Sequence, residues 1–372
     1  MIHTPKPRAR RLVKRQIQKT DHHWALYDMM MRIRLVEEAI EKEYARQEMK
    51  CPVHLSIGQE ASAAGVCLAL EKTDQALSTH RGHAHYLAKG GHVNRMIAEL
   101  YGRVTGCARG KGGSMHLVDT SVGFYGCSAI VAGTISIAAG LALSNHMQGT
   151  SHVAVAFFGD GAADEGVLYE TLNFAALKKL PIIFVCENNR YATHSHQRAR
   201  QPLDNLKARA EAFGVQACKI DGTDVFQVYE TAQQAIHRAR TGYGPSFIEC
   251  QLYRWRKHVG PGTDTDMGYR SQEELDHWLA RCPIKQAETH LQKKGYSQQA
   301  FDKLGQTIHQ DIQNAFEFAK QSPFPDPSEL TQHVVAQDAL SIYGHILPVL
   351  AQPDAPHEHR ADLSTFMPKT GF

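Results

Sequence analysis

Long hydrophobic runs are missing from this chain: nothing approaches the roughly 20 consecutive apolar residues that a membrane-spanning helix needs. Paired cysteines are missing too. Cys51, Cys67, Cys107, Cys127, Cys186, Cys218, Cys250 and Cys282 are scattered, form no C-x-x-C pair and fall partly in apolar patterns. That speaks against a disulfide framework and for reduced, buried thiols in a cytoplasmic protein. No charge of one sign dominates: the formal net charge is +3 and the pI about 8.3, which calls for no special partner. No Gly-x-Gly-x-x-Gly follows an apolar run with an acid downstream, so a dinucleotide fold is set aside. There is no internal repeat or low-complexity tract. The hydrophobic fraction of 42% is ample for a core, and 372 residues suffice for one large domain or two.

The most informative stretch runs from Phe157 to Asn189. An apolar run, Val153 to Phe158, ends in Gly159-Asp160-Gly161. A helical pattern follows, then a second apolar run, Pro181 to Cys186, and then Glu187-Asn188-Asn189. The pattern predicts strand, turn, helix, strand. Between Gly161 and Asn188 lie 26 residues, 162–187. Roughly 15–18 residues of helix plus a strand return the chain to the same sheet edge, as a right-handed βαβ unit requires. Asp160 and Asn189 then stand at the edge where open α/β folds bind ligands. On glycine-rich turns beside a helix N-terminus they suit a hard divalent cation carrying a diphosphate. A bare Gly-Asp-Gly would more simply be a βαβ turn whose Asp and Asn cap it; Asn-Asn in register favours the site.

The rest of the chain divides coarsely. Residues 1–20 carry Lys6, Arg8, Arg10, Arg11, Lys14, Arg15 and Lys19 with no acid. They read as a basic arm; they lack the Ser and apolar face of a transit peptide and the aromatics of a nucleic-acid patch. Residues 21–335 read as one α/β domain and 336–372 as a tail. Leu26, Met29, Met30, Ile33, Leu35, Val36 and Ile40 recur at helical spacing over 21–50. A second helix is expected over 58–72, loops over 74–135, and a buried small-residue helix over 135–147. Val215–Ile220, Val225–Arg240 and Phe247–Tyr253 read as strand, helix and strand, with polar-faced helices over 284–320.

Two loop segments carry chemistry. Gly110-Lys111-Gly112-Gly113-Ser114-Met115-His116 could cradle phosphate through backbone N–H groups. Thr79-His80-Arg81-Gly82-His83-Ala84-His85 sets three histidines and an arginine close together. A zinc site there is disfavoured, since the set holds no carboxylate or thiolate.

From about Leu35 to Leu330 the chain resembles the alpha subunit of the first component of 2-oxoacid dehydrogenase complexes, the pyruvate, branched-chain and acetoin dehydrogenase family. The resemblance rests on Ile57-Gly58-Gln59-Glu60-Ala61, His80-Arg81-Gly82-His83, Gly110 to His116, the Gly-Asp-Gly to Asn-Asn segment with Arg190-Tyr191, and Tyr253-Arg254 with His258. It implies a doubly wound parallel sheet with helices on both faces, thiamine diphosphate and Mg²⁺ as cofactors, and an α2β2 heterotetramer. It implies Mg²⁺ on Asp160, Asn189 and Tyr191. It implies diphosphate contacts from Gly161, Ala162 and Arg81, a cofactor contact from His80, aminopyrimidine contacts from Ile130 and Val131, and active-site histidines His83 and His258, the latter also touching cofactor. The activating Glu belongs to a separate beta subunit in this family; Glu60 is the local candidate, without that role in the family pattern. A lipoyl-bearing acyltransferase and a small 2-oxoacid complete the implied partners, with no nucleic acid and no membrane.

The chain departs from the family pattern in places. Arg256 stands where a first loop His is typical and Val259 where a Ser is, which excludes kinase control at that Ser. His80 stands where many members have Tyr, and Ala192 where Gly is frequent. These changes leave open a thiamine-diphosphate carboligase, transketolase-like or acetoin-cleaving, and a non-catalytic relative that kept the fold.

Overall fold

The computed structural model describes residues 22–332. The basic arm over 1–20, the tail over 336–372 and both expected boundaries of the central domain lie outside them. The described residues up to Phe324 belong to one compact unit. Pro325 opens a second, of which 325–332 are described and hold a 3-10 turn, Pro327–Thr331.

The chain runs through helices α1 (His22–Tyr44) and α2 (Glu60–Ala69), strand β1 (Gln75–Thr79), helices α3 (His83–Ala88) and α4 (Val93–Leu100), strand β2 (Phe124–Ser128) and helix α5 (Gly133–Gln148). Strand β3 (Ala154–Gly159), helix α6 (Gly166–Leu177) and strand β4 (Ile182–Asn188) form the expected unit. A hairpin of β5 (Tyr191–Ala192) and β6 (Ser195–His196) follows, then α7 (Gln197–Arg200) and α8 (Leu206–Glu211). Strand β7 (Gln216–Asp221), α9 (Val225–Arg240), β8 (Ser246–Gln251), α10 (Gln272–Leu279), α11 (Pro283–Lys293) and α12 (Gln298–Gln321) complete the unit.

Six strands make one sheet in the order β2-β1-β3-β4-β8-β7, and every neighbouring pair is parallel. β3 and β4 are apolar along nearly their whole length because both of their faces are covered. Val155, Phe157, Ile183 and Val185 enter one core with α1, α2, α9, α11 and α12. Their alternates Ala154, Ala156, Phe158, Ile182 and Phe184 enter another with α5, α6 and α8. Period-two alternation thus feeds two helical layers, the doubly wound arrangement expected. Gly65 lets α2 sit on α9: a Cβ there would lie 2.6 Å from Val228 Cγ1.

The topology fixes where ligands enter. The connection from β1 leads to β2 on one side, and that from β3 leads to β4 on the other. β1 and β3 therefore flank the point where strand order reverses, and the loops after them open a crevice at the carboxyl edge.

Several expectations need correction. The helix over 21–50 stops at Tyr44, and Gln47 takes a left-handed φ of 56° that turns the chain so Met49 can be buried. The helix over 58–72 is shorter, Glu60–Ala69. Residues 74–135 hold two sheet strands and two helices rather than loops alone; Gln75-Ala-Leu-Ser-Thr and Phe124-Tyr-Gly-Cys-Ser are too short and mixed for periodicity to show. The segment after Gly159 is a 3-10 turn, Asp160–Asp164, and then a helix of 12 residues, shorter than expected. α5 is only half buried: Ile137 is 56% exposed and Met147 77% exposed.

Candidate active site

A cavity of about 420 Å³ opens at this crevice. Its walls come from the loop after β1 (Thr79, His80, Arg81), the turn after β3 (Gly159 to Ala162), the end of β4 (Glu187, Asn189) with Tyr191, the loop before α2 (His54, Gln59), and His258 beyond β8. β3 and β4 pair in register, Gly159 opposite Glu187, so Asp160 and Asn189 leave adjacent strands at the same edge.

Asp160 is buried, and Arg200 from α7 holds its Oδ2. Its Oδ1 is buried without a partner. Burial pushes the Asp160 carboxyl up while Arg200 opposes the shift. Arg200 also pairs with Asp164. The Asn-Asn pair divides its work. Asn188 Nδ2 donates to Glu249 Oε1 at 2.9 Å, and Asn188 Oδ1 accepts from the Arg190 N–H at 3.1 Å, which secures the left-handed turn at Arg190, φ 71°. Asn189 Nδ2 donates to Gln59 Oε1 at 2.8 Å, which fixes the amide beside the cavity.

Across the cavity lies Arg81, a buried guanidinium that donates to two carbonyls, Leu55 O at 2.6 Å and His258 O at 3.1 Å. Burial and the neighbouring Arg254 bring it down to about 9, still cationic at neutral pH. A buried cation with carbonyl partners and a face on the cavity suits an anionic group.

Three imidazoles stand beside it. Ring centres are 4.7 Å apart for His54 and His80, and 5.2 Å for His258 from each of the other two. Burial first, and Arg81 second, hold His54 down to about 3, His80 to about 2 and His258 to about 4. All three are neutral at pH 7.

His83, expected at the site, is elsewhere. It is fully buried, with Nδ1 2.5 Å from Glu37 Oε1 and Nε2 2.7 Å from Ser114 Oγ, and it does not line the cavity. Ser114, His83 and Glu37 stand in the order of a nucleophilic triad, but Ser114 is sealed from any substrate. His85 bonds Ser78 Oγ at 2.8 Å and Glu187 Oε1 at 3.2 Å. The three histidines of this segment therefore go three ways. Val131 lines the cavity; Ile130 does not and is 71% exposed.

The glycine-rich loop is corrected in kind. Its N–H groups do face an anion, but an internal one: those of Ala108, Gly110, Gly112 and Gly113 donate to the carboxyl oxygens of Glu99 at 2.8, 2.9, 2.7 and 3.1 Å. Glu60 does not line the cavity; its Oε1 accepts from Arg34 Nε at 2.6 Å and the Gly58 N–H at 3.0 Å, and its Oε2 is buried without a partner. Glu187 does face the cavity. Burial alone would raise its carboxyl, but His85, Ser62 and Arg81 outweigh burial and hold it below the usual carboxylate range. In the loop before His258, Arg256 Nε meets both carboxyl oxygens of Glu41 at 2.8 Å, and the Gly262 N–H donates to Glu41 Oε1 at 2.8 Å, so the residue that replaces a loop histidine straps the loop to α1.

Sequence reasoning missed His54, Gln59, Glu187 and Arg200. Gln59 lies within the quoted Ile57-Gly58-Gln59-Glu60-Ala61 motif and His54 three residues before it, which was the available signal. Arg200 carried none, since only the β5–β6 hairpin brings it back to Asp160.

Comparison with known proteins fits this geometry. The model of the family described as dehydrogenase E1 component matches residues 28–328. The chain is 38% identical over 310 residues to the alpha subunit of acetoin:2,6-dichlorophenolindophenol oxidoreductase of Bacillus subtilis (strain 168), covering 83% of this chain and 92% of that one. It is 37% identical over 332 residues to the pyruvate dehydrogenase E1 component subunit alpha of Porphyra purpurea, covering 87% and 96%. With the namesake subunit of Rhizobium meliloti (strain 1021) it shares 37% over 306 residues, 82% and 87% of the two chains.

Proposed function

This chain belongs to the dehydrogenase E1 component family, an oxidoreductase family, and we propose that it is the alpha subunit of a thiamine-diphosphate- and Mg²⁺-dependent 2-oxoacid dehydrogenase that works only with a beta subunit. The observation that carries this reading is the buried, unpartnered Oδ1 of Asp160 beside Asn189, with Arg81 across the same cavity. An orphaned carboxylate oxygen next to an amide oxygen suits a hard cation, and the guanidinium suits the diphosphate that cation carries.

In this reading Asp160, Asn189 and the Tyr191 carbonyl hold Mg²⁺, while Gly161, Ala162, His80 and Arg81 hold the diphosphate. Bound thiamine diphosphate supplies the nucleophilic carbon and the electron sink for loss of CO₂. The chain's own groups orient and exchange protons: neutral His258 and His54 can accept a proton at a ring nitrogen or donate a hydrogen bond to the oxoacid carboxylate. Val131 offers apolar contact. His83 is a positioning residue, since its bonds to Glu37 and Ser114 lock α3 behind Arg81.

A partner supplies what is lacking. Glu187 is committed to Ser62 and His85 and kept ionised, so it makes a poor proton-sharing acid for the aminopyrimidine, and Glu165 stands exposed at the rim. The apolar side chains of Ile130, Val131, Ile137 and Met147, exposed around α5, suit a covering subunit in an α2β2 assembly. The acyl acceptor is a lipoyl-bearing acyltransferase.

The test is reconstitution. Chain alone with Mg²⁺, thiamine diphosphate, a 2-oxoacid panel and an artificial electron acceptor is expected to show no turnover; co-expression with a beta-type subunit is expected to restore it. Full turnover by the purified chain alone sinks the proposal. The strap from Arg256 to Glu41 favours a second reading, transfer of the two-carbon unit to an aldehyde; acyloin formed when aldehyde is added, without acceptor reduction, selects it.

Arg200 competes for Asp160. Its partly buried ion pair is worth about 1 kcal/mol, so Arg200→Gln is expected to lower the Mg²⁺ concentration for half-maximal cofactor binding about 5-fold. Fluorescence titration reads this, and an unchanged or raised value contradicts it.

A further inference from the structure

We propose that His54, His80 and His258 form a binding site for one divalent transition metal ion of the zinc type, separate from the oxygen-donor pair Asp160 and Asn189. The three side chains each bring a ring nitrogen to within 4.8 Å of the others. They come from three segments that the fold brings to one point: the loop before α2, the loop after β1 and the loop beyond β8. All three line the cavity, so a metal held there keeps a coordination position open to solvent or to an anion; because the proposed function gives the same imidazoles to cofactor and substrate, the ion occupies the cofactor-free chain and competes with the cofactor.

His54 supplies an independent indication. It is only 7% exposed, and its Nδ1 is buried without a hydrogen-bond partner. A buried imidazole nitrogen left unsatisfied carries a desolvation penalty that a metal bond relieves. Metal–nitrogen bonds of about 2.0–2.1 Å in a tetrahedron set nitrogens roughly 3.4 Å apart. The ring nitrogens therefore close by up to about 1.4 Å on binding.

The donor chemistry separates this site from the Mg²⁺ pair. Imidazole favours Zn²⁺, Cu²⁺ and Ni²⁺, whereas carboxylate and amide oxygens favour Mg²⁺. Metal binding requires neutral imidazoles, and burial already keeps these three deprotonated at pH 7. Arg81 and, more weakly, Arg254 oppose a second positive charge nearby; Arg254 is paired with Asp264. The Arg81 guanidinium is turned to the Leu55 and His258 carbonyls, and hydroxide or another anion on the open position offsets what remains. His80 is the residue that makes the set; with Tyr there, as in the family pattern, only two imidazoles would remain.

The test uses the metal-free full-length chain and Co²⁺ as a spectroscopic stand-in for Zn²⁺, with no cofactor present, so it is independent of the reaction proposed above. Titration is expected to give the visible absorption bands of tetrahedral nitrogen-ligated cobalt, saturating at one ion per chain and abolished by Zn²⁺. His80→Tyr is expected to weaken binding at least about 10-fold with unchanged far-ultraviolet circular dichroism, and His258→Gln to do the same should His80→Tyr fail to fold. Asp160→Ala is expected to leave the bands unchanged. Absence of the bands, their persistence at full affinity in both histidine variants, or their loss in Asp160→Ala overturns the proposal.

Discussion

Asp160→Ala is expected to reduce Mg²⁺-dependent binding of thiamine diphosphate about 100-fold or more, since even residues that only orient a metal's ligands cost 10–100-fold when removed. The apo chain should not suffer. Asp160 is a buried carboxylate with one oxygen unpartnered, and Arg200 retains Asp164 when Asp160 is gone. The apo melting temperature is therefore expected to stay level or rise. The cofactor-induced shift is expected to collapse: wild type at 100 times its dissociation constant gains about 2.7 kcal/mol by mass action, whereas a 100-fold weaker variant at the same concentration gains about 0.4 kcal/mol. Calorimetric titration and thermal unfolding with and without ligand read both quantities. An undiminished cofactor-induced shift in the variant would remove Asp160 from the metal site.

Glu99→Ala is expected to be the most destabilising change outside the cavity, by about 4 kcal/mol. Glu99 is 1% exposed and accepts the N–H groups of Ala108, Gly110, Gly112 and Gly113. Each donor orphaned in a buried setting costs about 1–3 kcal/mol, less what entering water recovers. Glu99→Gln keeps an acceptor and loses the charge, so an intermediate loss of about 2 kcal/mol is expected. Urea unfolding of both variants decides the matter. A loss below about 1 kcal/mol in Glu99→Ala would show that the loop holds itself without this carboxyl group.

The two predictions concern glycine-rich segments whose surroundings were unequally legible in the sequence. In Gly159-Asp160-Gly161 the neighbouring runs were long and apolar, so the strands on either side were visible and the turn had a known place at the sheet edge. In Gly110 to Ser114 no such frame existed. Backbone N–H groups that face an anion look the same in sequence whether the anion is a ligand phosphate or Glu99, near the end of α4. The histidines followed the same rule. His80 and His83 are neighbours in sequence, yet α3 begins at His83 and carries it inward to Glu37, while His80 stays on the loop and faces the cavity.

Periodicity and spacing by themselves determined the parallel βαβ frame and the placing of Asp160 and Asn189 at one edge, because these depend on residues close in the chain and on the patterns along single elements; helices on both faces came from the family resemblance. Only the tertiary structure decided which polar groups meet. It joined His54 to His80 and His258, delivered Arg200 to Asp160, turned the phosphate-like loop onto Glu99 and removed His83 from the cavity. Each of these contacts joins separate segments, the Glu99 loop at 9 to 14 residues and the others much further apart, and depends on the placing of buried polar groups, for which the local pattern of apolar and polar residues carries no record.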